Sequence, residues 1–243
     1  MSYKLILDFG NTLKKMAVFS ATEILEVRST SDNVIGEIED LKRKYADIQS
    51  TILSSVVRID IHTLQYLKSN FKFLMFDQHT PIPIQNDYIT PQTLGKDRLA
   101  AAIGAHLLFP KNNSLVIDAG SSITYELVTK EGSYLGGAIS PGIRLRAKAL
   151  NQFTDQLPMV DYTEEVDLLG KNTTTCLQSG IINGAISEVN SMIERFVAQF
   201  DELKVILTGG DAKYFEKNIK YNIFASANLV LVGLNHILDF NEL

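Results

Sequence analysis

The chain has 243 residues, of which 45% are hydrophobic and 21% are charged, so it can bury a core large enough for one or two globular domains. Its net charge of −5 and the absence of a basic block argue against a nucleic-acid partner, and no apolar run approaches the ~18 residues of a membrane-spanning helix. A single cysteine excludes an internal disulfide, and no signal-peptide pattern opens the chain, so we expect a cytoplasmic protein without a membrane partner.

The first predicted element is a β-hairpin. Tyr3–Leu7 is a short apolar strand, and Met16–Phe19 is a second strand that follows it closely. The intervening Asp8-Phe9-Gly10-Asn11-Thr12 contains the turn-forming glycine and asparagine. The pattern therefore places Asp8 at the end of a strand and next to a tight turn.

Helical spacing of apolar residues predicts most of the remaining elements. Pro81-Ile82-Pro83 is interpreted as an extended connector. The predicted helices are Val34–Tyr45, Ile61–Ser69, a helix that starts near Asp97, Leu145–Asn151, Thr174–Phe200 and Leu229–Phe240.

The stretch from Thr90 to Ala100 combines a proline, a glycine and an Asp-Arg pair ahead of an apolar run. This order predicts a turn followed by a helix whose first turn contains Asp97 and Arg98. Backbone amides at a helix start favour a negative side chain, so Asp97 is expected to stay ionised at neutral pH. The alternative is that Asp97 only caps the helix.

A second strand–Asp–Gly pattern follows 110 residues after the first one. Leu115–Asp118 leads into Ala119-Gly120-Ser121-Ser122, and Ile123–Val128 returns as a strand. Thr51–Val56 and Val205–Asp211 form a further similar pair. Such an internal repeat predicts two related α/β lobes, residues 1–112 and 113–243.

Two Asp-x-Gly turns suit the binding of a nucleotide triphosphate. Glycine lets backbone amides approach phosphate oxygens, and a carboxylate such as Asp8 can hold Mg²⁺ through water. Lys15 is a further cation for the phosphates. Thr208-Gly209-Gly210 is interpreted as a surface for the base or ribose, and Gly136–Gly142 as a loop that approaches the ligand closely.

In this order the motifs resemble the type III pantothenate kinases, members of the superfamily of acetate kinase and actin. The resemblance covers essentially the whole chain and rests on the following landmarks: Asp8–Thr12 with Lys15, Tyr88, Thr90–Arg98, Asp118–Thr124, Gly136–Gly142, Gly170–Thr173 and Thr208–Ala212. It implies two duplicated ribonuclease H-like, actin-like ATPase lobes with mixed β-sheets flanked by helices. It also implies an enzyme that phosphorylates pantothenate with ATP, the first step of coenzyme A biosynthesis.

The resemblance implies a role for individual residues. Asp97 matches the catalytic base, and Asp118 matches the ligand of a monovalent cation, K⁺ or NH₄⁺. Thr173 matches a residue that reaches pantothenate in the partner subunit, which implies a homodimer. The remaining matches are ATP contacts at Asp8, Phe9, Gly10, Asn11, Thr12, Leu13, Lys14, Lys15 and Ser121, with Asp8 also near Mg²⁺, and pantothenate contacts at Tyr88, Gly95, Lys96, Asp97 and Arg98.

The sequence departs from the family pattern at its second turn. Ser121 and Ser122 stand where threonine and alanine are usual, and Glu126 replaces an aspartate. Two alternatives stay open: a non-catalytic transcription accessory protein on the same scaffold, and a kinase of the same superfamily for another small alcohol or carboxylate. Cys176 is interpreted as a small packed residue rather than a nucleophile.

Overall fold

The computed structural model describes residues 2–241; residues 1, 242 and 243, at the outer ends of the two predicted lobes, lie outside the described residues. The elements in chain order are β1 (Tyr3–Phe9), β2 (Lys14–Ser20), β3 (Glu23–Thr30), α1 (Val34–Lys44), β4 (Ile48–Ser55), α2 (Ile61–Asn70), β5 (Lys72–Met75), β6 (Gln85–Asn86), a 3₁₀ turn (Pro91–Thr93), α3 (Lys96–Leu108), β7 (Ser114–Ala119), β8 (Ser122–Val128), β9 (Ser133–Pro141), α4 (Ile143–Gln152), α5 (Thr173–Val197), β10 (Lys204–Thr208), α6 (Lys213–Glu216), β11 (Ile223–Ala225) and α7 (Leu229–Phe240).

These elements form two compact units. The first unit contains the residues up to Pro110, the segment Glu131–Leu135 and the residues from Asn228 onward. The second unit contains Lys111–Lys130 and Gly136–Ala227. The compact units are defined by packing, whereas the lobes 1–112 and 113–243 are predicted from an internal repeat. The division into units therefore does not test the lobe boundaries, which stay a prediction.

The first unit is built on a five-stranded mixed sheet with the order β3-β2-β1-β4-β5. Strand β1 is antiparallel to β2 and parallel to β4. Alternate residues of β1, such as Leu5 and Leu7, enter a hydrophobic cluster with Ile38 of α1 and Leu67 of α2. This alternation is the period-2 pattern of a strand buried on both faces.

Helices α3 and α7 also belong to the first unit and pack against each other through glycine. A methyl group at Gly104 would lie 2.6 Å from the carbonyl oxygen of Leu229, and one at Gly233 would overlap the carbonyl of Ala100. The two backbones therefore approach more closely than larger side chains would allow. Helix α7 is tied to the sheet by Lys4, whose buried ammonium donates to Asp239 at 2.6 Å.

The second unit repeats the sheet topology of the first. Its strands follow the order β9-β8-β7-β10-β11, with β7 antiparallel to β8 and parallel to β10. The five strands of this unit thus correspond in chain order to the five strands of the first, with β7 in the position of β1 and β11 in that of β5. The short strand β6 pairs with Ser133 and Tyr134 at the beginning of β9, where the chain still belongs to the first unit.

One face of the second sheet is covered by the long helix α5. Leu115, Ile117 and Tyr125 of the sheet pack with Ile181 and Val189 of that helix in one buried cluster. Because side chains alternate along β7, Asp118 lies on the opposite face from this cluster.

The structure confirms the predicted α/β class with two mixed sheets flanked by helices, both hairpins and the helices predicted from spacing. Two other interpretations were wrong. Gly136–Gly142 is mostly strand β9 rather than a loop, because its residues pair with β8. Cys176 is exposed rather than packed, since α5 turns its face with Leu177 and Ile181 toward the core.

Candidate active site

The first hairpin presents Asp8 at the edge of a tight turn. The amide of Gly10 donates to the carbonyl oxygen of Leu13 at 3.1 Å, which closes the turn between β1 and β2. Asp8 is half-buried and lies opposite Lys15 in the antiparallel register. The tip of the turn is exposed and consists of Asn11, Thr12 and Leu13.

The face of the sheet that carries Asp8 is the one that α7 covers. Lys4 and Asp8 are four residues apart on β1 and therefore point to the same side, and Lys4 binds Asp239 of α7. On the neighbouring parallel strand, Ser54 is the register partner of Asp8. The Ser54 hydroxyl is fully buried and has no hydrogen-bond partner within residues 2–241.

Asp97 occupies the second position of α3. The N-cap is Gly95, which offers no side chain for capping. Instead the Oδ1 atom of Asp97 accepts a hydrogen bond from the amide of Arg98 at 2.9 Å. The predicted place of Asp97 in the first turn is confirmed. The hydrogen bond holds its carboxylate at the N-terminal end of the helix.

Arg98 is buried beside the aromatic ring of Tyr88. Its guanidinium carbon lies 5.7 Å from the centre of that ring, a distance typical of a cation–π contact. Tyr88 in turn packs on the buried ring of Tyr134, with 6.1 Å between the ring centres. The structure thus brings together Tyr88 and Arg98, with Lys96 and Asp97 in the same helical turn.

The second turn, between β7 and β8, is closed by a hydrogen bond of 2.9 Å from the amide of Gly120 to the carbonyl oxygen of Ser122. Ser121 is exposed at its tip. Asp118 lies opposite Thr208 of the parallel strand β10. This arrangement matches that of Asp8 with Ser54 in the first unit.

Gly209 follows β10 with a φ of +98°, a conformation that favours glycine. A methyl group there would overlap the carbonyl of Ala119 and lie 2.5 Å from Oδ1 of Asp118. The amide of Asp211 donates to the same Ala119 carbonyl at 2.8 Å. Burial raises the pKa of the Asp211 carboxyl group, while the charge of Lys213 acts in the opposite direction.

Thr173 is the first residue of α5 and is exposed. Asn172 precedes it as the N-cap, and its side chain accepts a hydrogen bond from the amide of Thr175 at 2.9 Å. The hydroxyl of Thr175 in turn accepts a hydrogen bond from the amide of Asn172 at 3.1 Å, so the helix start is a capping box. Thr173 therefore projects from a rigid helix end.

No group of three or more histidine, cysteine, aspartate or glutamate side chains that could hold a metal occurs among residues 2–241. A lone carboxylate still fits Mg²⁺, which is usually held by one or two carboxylates, water and the phosphates of a substrate. The unpartnered hydroxyl of Ser54 beside Asp8 is compatible with such a hydrated site. At Asp118, the backbone of Gly209 packs closely against Oδ1 of the carboxylate, and carboxylate and carbonyl oxygens are the ligands that hard cations prefer.

Sequence reasoning missed Ser54 as a site residue. Its hydroxyl lies beside Asp8 only because β1 and β4 pair in a parallel register, and 46 positions of sequence separate the two residues. The signal that could have found it is the match between Thr51–Val56 and Val205–Asp211, which sets Ser54 against Thr208. Glu126, the departure noted above, is completely buried.

The chain matches the family described as type III pantothenate kinase over residues 4–195. A type III pantothenate kinase from Christiangramia forsetii is 41% identical to it over 239 residues, which cover 98% of each chain. Among solved structures, a conserved protein from Campylobacter jejuni assigned to the Baf family of transcriptional activators has a TM-score of 0.62 at 22% identity, with 98% of each chain covered.

The activator of 2-hydroxyisocaproyl-CoA dehydratase from Clostridium difficile, solved with bound ADPNP, has a TM-score of 0.55 at 15% identity, covering 99% of this chain and 95% of that one. At such identities the two structures show a common fold and nothing further. Together with the repeated sheet topology, they confirm the predicted duplicated α/β architecture of two mixed sheets flanked by helices. In the described part of the chain, no helix has the length and apolar character needed to cross a membrane.

Proposed function

The chain belongs to the type III pantothenate kinase family and transfers phosphate from ATP to pantothenate, and on that premise we propose that Asp97 is the base of the reaction. The pantothenate hydroxyl oxygen attacks the γ-phosphorus of ATP, the bond to the bridging oxygen of ADP breaks, and Asp97 takes the hydroxyl proton. The observation that carries this role is the position of Asp97 in the first turn of α3, bound to the amide of Arg98 at 2.9 Å.

Phosphoryl transfer passes through a loose transition state in which the nucleophile needs little prior deprotonation. Asp97 therefore has two tasks, to orient the hydroxyl group and to accept its proton late.

We assign the first hairpin to the phosphates of ATP. The glycine turn offers backbone amides, and Lys15, opposite Asp8 in the register, contributes a positive charge. Asp8 would hold Mg²⁺ through water, and the ion when bound would neutralise charge on the β- and γ-phosphates. The residues assigned to ATP are Asp8, Phe9, Gly10, Asn11, Thr12, Leu13, Lys14 and Lys15.

In the second unit we assign Ser121 to ATP and Asp118 to a monovalent cation. The support is the likeness of the two hairpins, in which Asp8 and Asp118 take equivalent positions, and the negative charge that the Asp118 carboxylate offers to a cation. Potassium or ammonium, when bound, would add positive charge near the phosphates.

Pantothenate is assigned to the residues around the start of α3. Arg98 offers a planar cationic group for the carboxylate or amide oxygen of pantothenate, and its contact with Tyr88 limits its motion. Next to Asp97, Gly95 contributes its backbone to the assigned pantothenate site. Lys96 contributes a positive charge.

We further propose a homodimer in which Thr173 reaches the pantothenate of the partner subunit. Thr173 is exposed on a capped helix, and the second unit exposes large apolar side chains that a partner could cover. Among them Phe153 is 80%, Leu168 84% and Leu169 75% exposed. Because ATP and reduced thiols are abundant in the cytoplasm, we place the reaction there.

Asp97→Asn tests the role of the base. We expect kcat to fall by about 10²- to 10⁴-fold while a nonhydrolysable ATP analogue still binds, because asparagine keeps the shape but cannot accept the proton. Turnover is measured as ADP release with pantothenate present or omitted. The matched control is Asp60→Asn, since Asp60 also accepts a hydrogen bond at a helix start, from the amide of Thr63 at 2.8 Å, but lies outside the assigned site. Near-normal turnover of Asp97→Asn would remove Asp97 from this role.

The monovalent cation is tested by replacing KCl with choline chloride in the same assay. We expect wild-type turnover to require K⁺ or NH₄⁺, and Asp118→Asn to need a higher K⁺ concentration for half-maximal activity because one negative ligand is lost. Activity that is indifferent to K⁺ would refute the assignment of Asp118.

A further inference from the structure

A cluster of polar side chains in the second unit joins α5, α4 and the end of β9. Glu188 of α5 accepts hydrogen bonds from the Ser140 hydroxyl and from Nη2 of Arg146, both at 2.5 Å. The Nε atom of Arg146 donates to the carbonyl oxygen of Pro141 at 2.8 Å. Glu188 thereby binds the side chain of Ser140, and Arg146 binds the backbone carbonyl of the next residue, Pro141.

The next residue, Gly142, rests directly on the turn between β7 and β8. Its amide donates to the carbonyl oxygen of Ser121 at 3.2 Å. A methyl group at Gly142 would overlap the carbonyl of Gly120 and lie 2.6 Å from that of Ser121. No side chain separates the two backbones, so a displacement of Pro141 and Gly142 displaces the turn as well.

The interaction between Glu188 and Arg146 is ionic and partly shielded from water. The side chains are 32% and 21% exposed, respectively. Burial disfavours the ionised carboxylate, but the hydrogen bonds from Ser140 and Arg146 outweigh it and keep the pKa of Glu188 below its usual value. Hydrogen bonds between charged groups are stronger than neutral ones and fix geometry more firmly.

We propose that Glu188 and Arg146 are positioning residues for ATP, which act through Ser140, Pro141 and Gly142 on the turn at Gly120 and Ser121. The inference rests on the proposed contact between Ser121 and ATP. Neither residue is assigned a contact with the nucleotide; they hold the end of β9, on which the turn rests. A role confined to the packing of α4 on α5 would affect folding but not ATP binding in particular.

The test is Glu188→Gln, which keeps the size of the side chain and removes its charge. We expect the KM for ATP and the Kd of a nonhydrolysable ATP analogue to rise by about tenfold, the factor that corresponds to the loss of one charge-assisted hydrogen bond. The KM for pantothenate should stay within about twofold of the wild-type value, because its assigned residues are elsewhere. Arg146→Lys should show the same pattern, since a single ammonium group cannot replace both guanidinium contacts.

Glu164→Gln is the matched control. It removes another ion pair of the second unit, the exposed one with Lys213 at 3.2 Å, and should change neither KM. In the double variant Glu188→Gln/Arg146→Lys the two effects should be less than additive, because both substitutions break the same interaction.

Ser121→Ala, measured in parallel, separates this inference from the proposed function on which it rests. If Ser121→Ala weakens ATP binding while Glu188→Gln and Arg146→Lys do not, the positioning role is refuted and the ATP contact stands. If none of the three variants affects ATP binding, both are refuted. If the Glu188 and Arg146 variants have a lower melting temperature but an unchanged KM for ATP, the cluster only stabilises the packing of α4 on α5, and the positioning role is refuted.

Discussion

Gly95 leaves the carboxylate of Asp97 little room to move. A methyl group at Gly95 would lie 2.6 Å from Oδ1 of Asp97 and 3.4 Å from Cγ of Arg98. The backbone of Gly95, with φ −59° and ψ 130°, is accessible to every residue, so glycine is not required for conformational freedom. Its small size is what preserves the geometry of the assigned base.

Gly95→Ala therefore tests whether the position of Asp97 matters as well as its charge. We expect kcat to fall by about 10- to 100-fold, because a displacement of a catalytic group by a fraction of an ångström to 1 Å has effects of this size. The stability of the fold should change little, since the neighbour that must move is a side chain. Turnover and urea unfolding are measured on the same preparation.

The control for this substitution is Gly180→Ala on α5, where the added methyl group meets nothing within 4 Å. That variant should keep wild-type turnover. A Gly95→Ala enzyme as active as Gly180→Ala would contradict a fixed position for the base.

At the scale of elements, the contact between α3 and α7 fixes the helix that carries Asp97. The last helix in the chain packs on the helix that begins with Lys96 and Asp97, with Gly233 against Ala100 and Gly104 against Leu229. Helices that approach this closely tolerate no added volume at the contact. The orientation of α3, and with it that of its first turn, thus depends on the C-terminal part of the chain.

Gly233→Ala is expected to destabilise the protein by about 1–3 kcal/mol, because its methyl group would overlap the Ala100 carbonyl and push the helices apart. Urea unfolding gives the change in the free energy of unfolding. Gly184→Ala is the matched control on a helix surface: nothing lies within 4 Å of the new methyl group, so better helix propensity should stabilise the protein by up to about 1 kcal/mol. Equal effects of both substitutions would contradict the close contact between α3 and α7.

At the scale of the whole molecule, the proposed dimer makes each active site a product of two chains. A chain with Asp97→Asn still supplies Thr173, and a chain with Thr173→Tyr still supplies Asp97. In a mixed dimer, one of the two sites then combines both intact residues. A dimer of either variant alone has no site in which both residues are intact.

Mixing the two inactive variants under conditions of subunit exchange should therefore restore activity, up to about one quarter of the wild-type value if subunits pair at random and each intact site works independently. Sedimentation of each variant alone checks that the dimer itself persists. Activity that stays at the level of the separate variants, in preparations shown to exchange subunits, would exclude a contribution of Thr173 to the partner's site.

The sequence by itself determined the elements that depend on local chemistry. Turn residues and strand alternation specified both hairpins, and the proline, glycine and acidic residue before an apolar run specified the start of α3. The repeat of these patterns indicated duplication, and the motif order indicated the family. Each of these features spans a short stretch of chain, so residue types and spacing are sufficient to recognise it.

Only the tertiary structure decided which distant residues meet. Ser54 lies beside Asp8 because two strands pair in one register, and Glu188 binds Arg146 and Ser140 because α5 lies next to α4 and to the end of β9. The placement of α7 on α3 likewise joins the end of the chain to its middle. Such contacts arise from packing between segments that are far apart in sequence, and local propensity contains no record of them.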